Sequence, residues 1–320
     1  MYRALLKTAW RLARQNPILW PFAFFVGFLG TAGEVGIILA SPSLGADPAL
    51  QPFFNAALNA FVESGVFGPS LTGAIAAAYQ SQPLRVLGVL LMITLGITVV
   101  LAVVWLIIVC QAALLFLAQG LVVGQQRTVR QAWSVGLRQW PGVLALNLIA
   151  SVLFGMIFVV LRALSVSALP WVVFLCIFTA LIIFLLIAAF VIKYSLFEVV
   201  LQNKSLLTAL RSALQTWRRY WLETLEISII LFVIYSVVMI SFGVLGTMSY
   251  RLLGPLVLLA PAANIVYLGV QMLIFVIAQI IMGAFHWLVW VIVFASLTSQ
   301  EKPLLASWLR RVSYQRSHQR

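Results

Sequence analysis

The chain has 320 residues, of which 63% are hydrophobic and only 8% charged, and it carries a formal net charge of +13. So little charge excludes an ordinary soluble domain, and the excess of Lys and Arg comes without the long basic block or recognition motif of a nucleic-acid-binding protein. Two cysteines and two histidines exclude a disulfide framework and a histidine-based metal cluster.

Uncharged tracts set the class. There are 41 residues without Asp, Glu, Lys or Arg between Arg85 and Arg127, 30 between Arg162 and Lys193, and 49 between Arg251 and Glu301. About 20 apolar residues cross a bilayer as a helix. Helices satisfy their own backbone in lipid, and stretches such as "LIIFLLIAAFVI" lack the alternation of a membrane β-strand. The sequence therefore predicts an all-α polytopic membrane protein with six spans in hairpin pairs.

In chain order, residues 1–16 form a basic amphipathic helix, too long for the charged end of a signal peptide. Span 1 follows over 17–40. Residues 41–84 are an external loop, and span 2 starts near Val86 and ends by Ala118. Span 3 is expected over 142–161, span 4 over 171–192 and span 5 over 225–247. Pro255 and Pro261 interrupt the next tract, which predicts a short interfacial or re-entrant segment and then one span over 267–294, with two full spans as the alternative. Residues 302–320 are a basic tail.

With six spans, 17 of the 20 basic residues fall on one side, and the other side holds Arg85, Arg162 and Arg251. The positive-inside rule makes the rich side cytoplasmic, with both termini there. Anionic headgroups are the expected partners of that side.

The stretch between spans 2 and 3 recurs 77 residues later: "RTVRQAWSVGLRQW" (127–140) lies over "KSLLTALRSALQTW" (204–217). Arg127 matches Lys204, and Thr128 matches Ser205, each a candidate N-cap. Ala132 matches Ala209 and Trp140 matches Trp217. In the second copy Leu206, Leu210, Ala213, Leu214 and Trp217 share one face, while Lys204, Thr208, Arg211, Gln215 and Arg218 share the other. In the first, Arg127, Gln131, Ser134 and Arg138 make the polar stripe. Both read as interfacial helices, with Arg127, Arg130, Arg138, Lys204, Arg211, Arg218 and Arg219 at headgroup level. Pro141 marks the corner where the first copy turns into span 3. Weaker echoes at 7–17 and 302–311 suggest a unit of interfacial helix, span out and span back, used three times and begun a fourth.

The repeated basic-Ala-x-x-x-Gly/Ala-Leu helix before a hairpin, here "RQAWSVGLRQW" and "LTALRSALQTW", resembles the membrane domains named for glycerophosphoryl diester phosphodiesterase and related bacterial and archaeal multi-span families. The resemblance is architectural. It implies a prokaryotic plasma-membrane protein. In that family the phosphodiesterase activity belongs to a separate soluble barrel, and no stretch outside the spans of this chain is long enough to be one. The enzyme activity is therefore not carried over.

Candidate chemistry is sparse. Glu34, in or near span 1, is a carboxylate at a membrane position, where function is the default hypothesis and water at the outer interface the alternative. Asn264 beside Pro261, Gln271 and His286 are polar candidates for a solute or proton site, set against plain interhelical hydrogen bonding. Glu223 and Glu226 stand three apart at the mouth of span 5, where pairing with Arg218 or Arg219 is favoured over a metal or proton site. Glu198 is expected at headgroup level, paired with Lys193 or a neighbour. No nucleophile triad, nucleotide loop or metal motif occurs, so no cofactor and no metal are expected. The favoured reading is a non-enzymatic scaffold or subunit of a membrane complex, with a protein partner or a second copy. The alternatives are a permease for a lipid or amphiphile and a membrane enzyme acting on lipid headgroups.

Overall fold

A computed structural model describes residues 2–27, 83–166, 170–259 and 261–298. Among these the regular structure is helical. α1 is Tyr2–Gln15, and a 3-10 turn at Pro17–Leu19 leads into α2, Trp20–Gly27. The remaining helices are α3 (Pro83–Val123), α4 (Val129–Val166), α5 (Trp171–Gln202), α6 (Leu206–Arg219), α7 (Trp221–Leu259) and α8 (Pro261–Thr298). Five of them, α3, α4, α5, α7 and α8, contain stretches long and apolar enough to cross a membrane. The chain is an all-α, multi-pass integral membrane protein. The expected first span begins with α2, and the rest of it, with Glu34, the external loop and the basic tail, lies outside the described residues.

Residues 1–35 and 107–320 form one compact unit, and residues 36–106 another. In the second unit the described chain is helical from Pro83 and its apolar side chains, Leu91, Met92 and Leu101 among them, are exposed. In the first unit α5 packs against α4 and α6, and α8 packs against α1, α2 and α7.

The core of that unit lies toward one end of the helices. Buried side chains cluster at Ile107–Val122 of α3, Ala132–Leu146 of α4, Leu185–Val200 of α5, Thr224–Leu231 of α7 and Met282–Phe294 of α8. Successive spans run in opposite directions, so these segments all fall at the end that carries α1 and α6. Toward the other end Leu148, Val152 and Met156 of α4, Trp171 and Leu175 of α5, Val237 and Ile240 of α7 and Met272 and Leu273 of α8 are exposed. A lipid-facing surface can stay apolar at no hydration cost, which is why such residues need no protein cover here.

Small residues bring the amphipathic helices close. Ala9 and Ala13 of α1, Ala132 and Gly136 of α4, and Ala209 and Ala213 of α6 are all buried. Each pair is four apart, hence on one face. At Gly136 the approach is tightest: a Cβ there would lie 2.6 Å from the Val109 carbonyl oxygen of α3.

Two expectations need correction. Pro141 does not mark a corner: α4 runs unbroken through it, so the first interfacial helix and span 3 are one element. A proline inside a helix forfeits one backbone hydrogen bond, about 3 kcal/mol in an isolated helix. Here the flanking residues are pinned on two sides, Gly136 against Val109 and Gly142 against Val199. The tract after span 5 is likewise no separate interfacial or re-entrant segment. α7 continues through Pro255 to Leu259, and α8 opens at Pro261, a favoured first-turn position. A single apolar stretch, Gly269–Thr298, remains for the last crossing.

Candidate functional site

Charged and polar side chains converge in the packed end of the first unit, chiefly where α5 faces α8. Phe190, Lys193, Tyr194 and Phe197 are spaced at three, four and seven residues, which puts them on one face of α5. Trp287, Trp290 and Phe294 of α8 meet them. Phe197 stacks on Phe294 with ring centres 5.0 Å apart, and Tyr194 meets Trp290 edge to face at 6.3 Å. Lys193 is enclosed by this aromatic set. Its Nζ lies 4.4 Å from the centre of the Trp290 ring and 3.3 Å from His286 Nε2. When Lys193 is an ammonium, which only donates, His286 accepts at Nε2. The ring face compensates part of the desolvated charge.

Glu198, the residue after Phe197, is 1% exposed. It was expected at headgroup level beside Lys193. Instead it is sunk among α5 and α6, and its partners are Lys204, whose Nζ donates at 2.9 Å, and Ser212, whose hydroxyl donates at 2.7 Å. Lys204 also donates to Ser212 Oγ at 3.0 Å. A buried carboxylate persists only when paired and hydrogen-bonded, and both oxygens of Glu198 are. Asn203, left-handed at φ 56°, reverses the chain so that Lys204 folds back onto the end of α5.

Arg127, the counterpart of Lys204, makes the same move with different partners. Its guanidinium donates to the Phe116 carbonyl at 2.7 Å, to Gln119 Oε1 at 3.1 Å and to Gln125 Oε1 at 3.2 Å, and lies 4.0 Å from the centre of the Phe116 ring. Burial lowers its pKa. Arg127 and Lys204 were expected at headgroups. Both are tied inward, because the end of the preceding span leaves carbonyls, or Glu198, to satisfy. Arg138, with Gln139, donates to Asn203 Oδ1, and the Arg219 guanidinium lies over the Tyr220 ring. Arg130, Arg211 and Arg218 are exposed.

The remaining candidates are dispersed. Gln271 donates to Ser249 Oγ at 2.6 Å and to the Tyr267 hydroxyl at 3.2 Å, which joins α8 to α7. Asn264 stands in the first turn of α8, and its side chain lies outside the described residues. Asn147 donates to Gln111 across α4 and α3 at 2.8 Å. Glu226 was expected to pair with Arg218 or Arg219. It accepts from the Tyr2 hydroxyl at 2.6 Å, which ties the start of α1 to α7 and pushes the Tyr2 pKa up to about 12. Glu223 is exposed. Among the described residues no three His, Cys, Asp or Glu side chains gather as a metal site.

Sequence reasoning missed Lys193, Ser212, Tyr2 and the Tyr194–Thr224 hydrogen bond, 2.7 Å across α5 and α7. One signal was present. Lys193 has Phe190, Tyr194 and Phe197 on its own helical face, and a snorkelling lysine at a span end has no need of an aromatic enclosure.

Comparison of the chain with protein-family models, curated proteins and solved structures finds no match.

Proposed function

We propose that this protein is a non-enzymatic scaffold or subunit of a membrane complex. The observation that carries the reading is the pairing of its polar span residues with one another: Asn147 with Gln111, Gln271 with Ser249, Tyr235 with Gln279, Tyr194 with Thr224, and Glu198 with Lys204 and Ser212. Side chains bonded in this way lock neighbouring helices and leave little for a substrate. Ser212 beside Lys204 has the composition of a nucleophile with its base. Lys204 is instead engaged by Glu198 at 2.9 Å, and the Ser212 hydroxyl donates to the same carboxylate. The architectural resemblance to the membrane domains named for glycerophosphoryl diester phosphodiesterase supports the same reading. In this reading the basic end lies at the cytoplasmic face of a prokaryotic plasma membrane.

Cross-linking in native membranes, followed by native electrophoresis in mild detergent, tests it. The expected result is a species larger than one chain. A monomer in both settings overturns the proposal.

The competing reading, a permease for an amphiphile, draws on Lys193 alone, a cation held between two spans. Flux of a labelled anionic amphiphile into proteoliposomes, abolished by Lys193→Met, would favour it.

A further inference from the structure

Three helices of the packed end share a second pattern, on the side away from their buried small residues. α1 buries Ala9 and Ala13 and exposes Arg3, Lys7, Trp10 and Arg14, spaced four, three and four apart along one stripe. The first turns of α4 bury Ala132 and Gly136 and expose Arg130, Ser134 and Leu137 at the same spacing. α6 buries Ala209 and Ala213 and exposes Leu207, Arg211 and Arg218. Each stripe thus combines one or more cations with one large apolar side chain: Trp10 is 45% exposed, Leu137 40% and Leu207 78%.

We infer that these stripes form a binding surface for the anionic phospholipids of the leaflet at the packed end. The charge requires an anionic partner, and the apolar residues choose between the kinds available. An acidic soluble protein or a nucleic acid would leave Leu207 in water whenever it dissociated. A phospholipid offers a phosphate to each arginine and acyl carbon to the neighbouring leucine or tryptophan at one depth. The stripes also adjoin the apolar surface of the spans, since Trp221 and Leu222 are exposed just beyond Arg218 and Arg219. The inference is narrower than the sequence expectation. Arg127 and Lys204 have their charges engaged within the protein, whereas Arg130, Arg211 and Arg218, with Arg3, Lys7 and Arg14, are exposed and carry the surface. It is independent of whether the protein acts as a scaffold.

The test uses the full chain, purified in a non-ionic detergent and offered equal amounts of phosphatidylglycerol and phosphatidylcholine, with retained lipid read by native mass spectrometry. The wild type should retain phosphatidylglycerol in preference. Replacing Arg130, Arg211 and Arg218 with Gln should reduce that preference by about fivefold for each charge neutralised. The same three changed to Lys should keep it, which guards against a variant that merely misfolds. Equal retention of the two lipids by the wild type overturns the inference. So does an undiminished preference in a folded Gln variant. Soluble poly-glutamate that displaces the lipid and binds tightly on its own would show the surface to be a protein-docking site and would also overturn it.

Discussion

The two clear copies of the repeat begin alike and end differently. In each, the leading cation turns back onto the span before it, and two small residues four apart seat the amphipathic helix. The N-caps already diverge. Thr128 and Gln131 make a reciprocal capping box, the Thr128 hydroxyl accepting from the Gln131 N–H and the Gln131 side chain from the Thr128 N–H. Ser205 makes no such cap, and its hydroxyl meets Thr208 instead. After the amphipathic stretch the first copy continues through Pro141 into its span, while the second stops at Tyr220, whose N–H reaches both the Thr216 and Trp217 carbonyls. The residue most able to break a helix lies in the copy that stays whole. Close packing on both sides of Pro141, Gly136 on Val109 and Gly142 on Val199, accompanies the unbroken helix there.

The sharpest way to break the comparison is at the leading cation. Glu198 aligns with Leu121 in the first copy, so Glu198→Leu gives the second copy the apolar residue of the first. Lys204 would then lose its anion without gaining the carbonyl and glutamine acceptors that Arg127 has. We expect a loss of about 3 kcal/mol, toward the low end for a broken buried pair because Lys204 is a third exposed. Thermal unfolding in detergent measures it, and adding Lys204→Met should recover part of the loss. Next comes the small-residue seat. Gly136→Ala sets a Cβ against the backbone of α3 and should cost about 1–3 kcal/mol, whereas Ala213→Gly at the matching position of α6 should cost about 1 kcal/mol. The smallest effect belongs to the third helix of the set, α1. The Tyr2–Glu226 hydrogen bond raises the Tyr2 pKa, so its stabilisation is complete below the ordinary tyrosine value near 10 and is lost as pH rises through about 12. Tyrosinate absorbance of the wild type minus that of Tyr2→Phe should show one late titration near 12. A titration near 10 would place Tyr2 away from Glu226.

The helical class and the apolar stretches were legible because bilayer thickness dictates the length and composition of a span. The faces of α6 were legible too: Ala213 is buried and Thr208, Arg211, Gln215 and Arg218 are exposed, as periodicity required. The site was far less legible. Periodicity shows which residues share a face but not what lies opposite, so Arg127 and Lys204 looked like headgroup ligands and Glu198 like a surface carboxylate. Apart from Gln125, their partners are 6 to 14 residues away, across a chain reversal that passes a left-handed residue, Gly124 in the first copy and Asn203 in the second. For the Lys193–His286 pair the aromatic face around Lys193 was legible, but nothing local pointed to a partner 93 residues away.

The concentration of buried side chains at one end of the helices has a mechanical consequence. A bilayer that thickens or thins asks its helices to tilt or bend. At the packed end, interlocked rings, hydrogen bonds and the Glu198–Lys204 ion pair resist such rearrangement, whereas toward the far end the spans are padded largely by acyl chains that yield. A change in membrane thickness would therefore be absorbed by one leaflet's half of the protein, pivoting about a stiff base.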